Sequence, residues 1–201
     1  MTRFLSVTAV LALSASLLAD TGPLQAASTA TEGYAQAMDA MMQGMMKKAT
    51  GKPDLDFVSG MIPHHEGAVA MAKVEKQFGK DAAMLKLADA IIAAQENEIS
   101  TMKGWLAQKK LDDAKPVAQA AKATASSMDL MMQHMMMKTT GNADVDFAKG
   151  MIPHHQGAIE MANVVLKYGT DADVKNLAGG VVKSQSEEIT QMKDWLSAHG
   201  D

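Results

Sequence analysis

From Glu32 onward the apolar residues recur every three or four positions, and no stretch sustains the alternation of a half-buried strand. This period predicts a first helix from about Glu32 to Ala49, stopped by the Thr50-Gly51 breaker. A second runs from near Asp54, which reads as an N-cap after Pro53, to near Phe78-Gly79. A third spans about Asp81 to Lys109. The breakers between them are short, so neighbouring helices should be antiparallel. Pro63 falls inside the second helix, where it removes one backbone hydrogen bond and should bend the rod beside His64 and His65.

The pattern is written twice. Sliding the chain by 90 residues aligns Met38 with Met128 and Trp105 with Trp195 without a gap, and about half of the positions between are identical. MIPHH stands at Met61 to His65 and again at Met151 to His155; TGxxDxDF precedes both, and QENEISTMKGWL and QSEEITQMKDWL follow. Two copies are too few for a solenoid, so this is a tandem duplication. The expected fold is all-α: two tandem antiparallel helical-bundle units of about three helices each, over residues 32–110 and 117–201, joined by the polar stretch around Lys110 to Pro116.

The N-terminus changes the setting. Arg3, the apolar run FLSVTAVLALSASLLA and the small residues of LQAASTA follow the order of a secretory signal peptide, assigned to residues 1–27. The run is shorter than the roughly 20 residues of a membrane span. The expected mature protein is exported, periplasmic and not inserted in the membrane. A net charge of −4 with interspersed signs leaves no footprint for nucleic acid or an anionic membrane. The absence of Cys excludes disulfide scaffolds, thiolate metal sites and cysteine nucleophiles. No nucleophile elbow, Walker loop, GxGxxG or HExxH is present.

The 19 Met are the remaining anomaly. One is the initiator and 16 form eight pairs across the duplication, leaving Met84 and Met137 without counterparts. On the first helix Met38, Met41, Met42, Met45 and Met46 share an arc of roughly 140°, the width of an ordinary core stripe. Met128, Met131, Met132, Met135 and Met136 repeat it, with His134 added. Such Met can be flexible core filler. They can equally be soft thioether ligands suited to Cu(I) and, by the same softness, Ag(I).

On the second helix Met61, His64, His65, Ala68, Met71 and Ala72 share a face of about 120°, repeated with Met151, His154, His155 and Met161. Paired His flanked by paired Met read as a metal-ligating face. Adjacent rings differ by about 100° in direction, so one of each pair is expected to point inward and the other to serve as a second ligand or an outer partner. On the third helix Gln95 and Glu98 interrupt an apolar stripe that includes Met102, and Gln185, Glu188 and Met192 repeat the arrangement in the second copy. Glu98 could ligate a metal, orient a His or end in solvent. Asp54, Asp56, Asp144 and Asp146 read most simply as helix-start residues. Glu-x-x-His, the di-iron carboxylate signature, is absent.

GMIPHHEGAVAMA and GMIPHHQGAIEMA, each followed by the Gln-x-x-Glu-Ile-x-x-Met-x-x-Trp-Leu segment, resemble the domain-of-unknown-function family 305. The resemblance implies ferritin-like helical bundles. Its two-unit, Met-rich exported members, of the CopM type, bind copper and are associated with copper resistance in the periplasm. Copper is therefore the implied cargo, Cu(I) favoured and Cu(II) possible, with a periplasmic donor or export system as partner. The expected mechanism is coordination without turnover, weakening as His protonates below about pH 6.5. The rivals are a ferritin-like metal oxidase and a metal-free protein whose Met faces bind partner helices.

Overall fold

The computed structural model describes residues 29–46, 48–108, 111, 115–134 and 139–199. The signal-peptide segment, Met135 and the His134 side chain lie outside them. Six helices follow one another: α1 (Ala30–Met45), α2 (Pro53–Phe78), α3 (Ala82–Gln108), α4 (Ala118–His134), α5 (Ala143–Tyr168) and α6 (Ala172–Ala198). Among the described residues there is no strand, so the all-α expectation of three helices per repeat holds.

Local chemistry sets the boundaries. Thr29 caps α1, its hydroxyl accepting from the Glu32 amide at 3.2 Å. α1 ends at Met45, four residues before the expected Ala49. The chain is turned back there because Asp56 accepts from the Thr50 amide and hydroxyl at 2.9 and 2.6 Å and from the Gly51 amide at 2.9 Å. Gly51 supplies the left-handed turn, with φ of 81°. Asp146, Thr140 and Gly141 repeat this loop in the second copy.

Asp54 is not the N-cap of α2. Lys52 occupies that position and Pro53 opens the helix. Asn142 caps α5, accepting from the Asp144 amide. The carboxylates of Asp54 and Asp144 are thus released for a longer-range task. Asp54 accepts from the Thr170 and Asp171 amides, in the loop between α5 and α6, at 2.9 and 3.3 Å. Asp144 accepts from the Lys80 and Asp81 amides, in the loop between α2 and α3, at 2.9 and 2.8 Å. Each repeat fastens the other's loop.

These clasps require α2 and α5 to run antiparallel, and the buried side chains agree. Phe57, Val58, Met61 and Ile62 from the start of α2 pack with Ala158, Met161, Ala162 and Val165 from the end of α5. Phe147, Ala148 and Met151 from the start of α5 pack with Ala68, Met71 and Ala72 from the end of α2. α1 and α3 flank α2, and α4 and α6 flank α5. Both apolar clusters draw on both repeats, so the α2–α5 seam is continuous core. The MIPHH motifs meet at its middle.

Candidate metal centre

Both helices run unbroken through their internal proline. This brings His64 of α2 against His154 of α5, with ring centroids 3.9 Å apart and planes tilted by 50°. His65 and His155 turn outward along the same helices, their centroids 6.3 and 6.2 Å from those of their neighbours. All four residues are 0% exposed. One ring of each pair thus meets its counterpart at the seam and the other turns towards the flanking helix; α2 and α5 are each covered on two sides, so directions about 100° apart both end in protein.

The two kinds of ring have different partners. His65 Nε2 lies 2.6 Å from Glu98 of α3, and His155 Nε2 lies 2.6 Å from Glu188 of α6. The Glu98 and Glu188 side chains are 23% and 16% exposed. They do not end free in solvent, and they stand where a carboxylate fixes the orientation and tautomer of an imidazole. A ring donating through Nε2 presents Nδ1 as a lone pair, and Nδ1 of both His65 and His155 is buried without a hydrogen-bond partner.

For His64 and His154 neither ring nitrogen has a partner. Burial, then the neighbouring imidazoles, hold both residues well below the usual histidine range. Both are neutral at neutral pH, the form that binds metal. At this pair proton competition therefore sets in at lower pH than at an ordinary imidazole.

Buried thioethers occupy the apolar clusters of the α2–α5 seam that carries the pair. Met61, Met71, Met102, Met151, Met161 and Met192 are buried, as are Met41, Met45 and Met131. Gly157, one turn on from His154, lets α4 come close: a Cβ there would stand 3.2 Å from Met131 Sδ and 3.4 Å from His64 Nε2. A sulfur of one repeat and an unpartnered imidazole nitrogen of the other thus border one small region. Gly67 gives Met41 the same approach on the opposite side, at 2.9 Å from Sδ.

The first-helix Met stripe divides. Met38, Met42 and Met128 are only half-buried, Met132 is 42% exposed and Met46 is 83% exposed. Because α1 stops at Met45, Met46 leaves the stripe, correcting its placement on the shared face. Among the described residues no three His, Asp or Glu side chains gather as a metal site. A cation with hard-oxygen preference finds no cage there, whereas imidazole and thioether together suit a soft one.

Sequence patterning missed Glu75 and Tyr34. Both are buried, and the Tyr34 hydroxyl donates to the Ala143 carbonyl at 3.1 Å and lies 3.3 Å from Glu75 Oε2. The available signal was a broken pairing, since Val165 stands where the repeat would place a second Glu.

Comparison with known proteins agrees with this architecture. The family model for the domain of unknown function DUF305 matches residues 54–196. The Ag-bound form of CopM superposes with a TM-score of 0.58 at 32% identity, covering 74% of this chain and 97% of that one. The Cu(I)-bound form of CopM gives 0.57 at 31%, covering 74% and 98%. A DUF305 fragment from Deinococcus radiodurans gives 0.56 at 25%, covering 76% and 99%. The uncharacterized protein L153 of Acanthamoeba polyphaga mimivirus is 40% identical over 60 residues, which span 30% of this chain and 40% of that protein. The chain belongs to the DUF305 family.

Proposed function

We propose that this protein binds copper in the periplasm and sequesters or carries it, holding Cu(I) on imidazole and thioether ligands and Cu(II) through imidazole with carboxylate help. The observation that carries the reading is the buried His64–His154 pair, whose four ring nitrogens lack hydrogen-bond partners in the middle of a Met-rich seam. Buried polar atoms are ordinarily paired, and an unpaired group costs about 1–3 kcal/mol. Four on two facing rings fit a pair that completes its bonding with a cation.

The neutral rings need no deprotonation, and thioethers never do. Glu98 and Glu188 engage Nε2 of His65 and His155, leaving the buried Nδ1 of each ring without a hydrogen-bond partner. CopM, a solved relative, has Cu(I)-, Cu(II)- and Ag-bound forms, which supports a soft metal as cargo. The role is coordination without turnover. Periplasmic residence rests on the signal-like residues 1–27, and no described helix is long and apolar enough to cross a membrane.

The test is titration of the purified protein with Cu(I) and with Cu(II), alongside a variant with His64, His65, His154 and His155 changed to Ala. Loss of bound metal in the variant is expected. Unchanged affinity and stoichiometry would overturn the reading.

A further inference from the structure

A cation can reach the His64–His154 pair only through protein, because both residues are 0% exposed. A metal site needs an entry path. The Met residues that do not fit the core indicate where that path begins.

Between the C-terminal half of α1 and α4 lies a groove of about 460 Å³ bordered by five thioethers: Met42, Met45 and Met46 from one repeat, Met128 and Met132 from the other. Among the described residues, no imidazole lines it. Its charged lining residues, Lys48 and Asp129, are one of each sign. Exposure falls along it, from Met46 at 83% and Met132 at 42%, through half-buried Met42 and Met128, to Met45 at 3%. A second cavity of about 260 Å³ shares Met45 and Met128 and extends inward to Met161 at the α2–α5 seam. Met161 belongs to the same buried cluster as Met61 and Met131, and Met131 borders His64.

Core packing does not explain this arrangement. Met46 and Met132 are two of the four large apolar side chains the described surface exposes, and both line this one groove. Flexible thioethers at a wet cleft make a surface that can close around a soft cation. Among the described lining residues the ligands are neutral and the fixed charges balance, so no net negative charge compensates a divalent ion. A monovalent cation of d10 configuration, Cu(I) or Ag(I), is the class such a set selects.

We propose that the α1–α4 groove is an outer, all-thioether binding site for a monovalent soft cation, separate from the buried imidazole pair. It takes its cargo from the copper reading above, but its ligands do not overlap with the histidines. The experiment uses the full-length mature protein and Ag(I) alone, in a His64→Leu/His154→Leu background. The expected result is one Ag(I) bound, with the ε-methyl resonances of Met42, Met46, Met128 and Met132 moving on its addition. Adding Met42→Leu, Met46→Leu, Met128→Leu and Met132→Leu, which keep the apolar character of positions outside the fully buried core, should remove that one equivalent while circular dichroism stays unchanged. Static groove methyls, or equal Ag(I) uptake with and without the four leucines, overturns the proposal. The copper reading of the buried pair is judged separately, by whether the two His substitutions lower uptake relative to wild type.

Discussion

A pair of neutral, unpartnered imidazoles at the middle of an apolar seam weakens the metal-free fold. With each unsatisfied buried group costing about 1–3 kcal/mol, His154→Leu should stabilise the metal-free protein by about 1 kcal/mol or more in urea unfolding with a chelator present. The same change should abolish the stabilisation that Ag(I) gives wild type, the usual opposition between stability and function at a binding site. Gly157→Ala makes a different prediction. The new methyl would stand 2.8 Å from Met131 Cγ, and although alanine favours helix by about 1 kcal/mol, displacing the thioether should leave a net loss of Ag(I) affinity with all His and Met retained. That the His and Met share a face was legible in their spacing. Which ring meets which partner was not, because the angle between neighbours on one helix says nothing about where a second helix lies.

Among the elements, helix identity was readable from the apolar period, while the start of α2 was misread for a physical reason. Asp after Pro is a common opening of a helix, and in a single copy that local explanation would suffice. Here Lys52 and Asn142 take the cap positions, and Asp54 reaches Thr170, a residue 116 positions away. No local pattern encodes such a bond. Charged acceptors of backbone donors contribute about 1.5–3 kcal/mol, so Asp54→Ala should cost about 2 kcal/mol and speed amide exchange at Thr170 and Asp171. Those two amides are the discriminating readout, since a defect confined to the start of α2 would not reach them. Gly44 carries a second element-scale constraint. A Cβ there would lie 2.6 Å from Pro63 Cβ, and a proline ring cannot swing aside. Gly44→Ala should therefore destabilise by about 1–3 kcal/mol through overpacking of α1 on α2, read as a lower urea midpoint.

For the whole molecule, the duplicated halves form apolar clusters to which both repeats contribute. Residues 30–108 alone would expose the Met61 and Met71 faces of α2, so the intact chain should unfold in one cooperative transition. Its dependence on pH follows from two sets of groups with opposite signs. His64 and His154 are held below their usual range; the unfolded chain binds their protons more readily, and the stability present above about pH 6.5 is lost as pH falls. Glu75 works the other way. Burial, then the neighbouring Asp144 carboxylate, raise its carboxyl from 4.5 to about 8. Between those values the folded chain keeps a proton that the unfolded chain releases, so the neutral carboxyl supports the fold at low pH and that support is lost as pH rises towards 8. Since Asp144 also clasps the opposite repeat's loop, ionising Glu75 places two like charges at one end of the seam. Glu75→Gln keeps the shape and removes the titration. Melting curves of the metal-free wild type should fall from pH 5 to 8 relative to those of Glu75→Gln, the two converging at the acid end of that range. Parallel curves would show that Glu75 is not protonated in the fold.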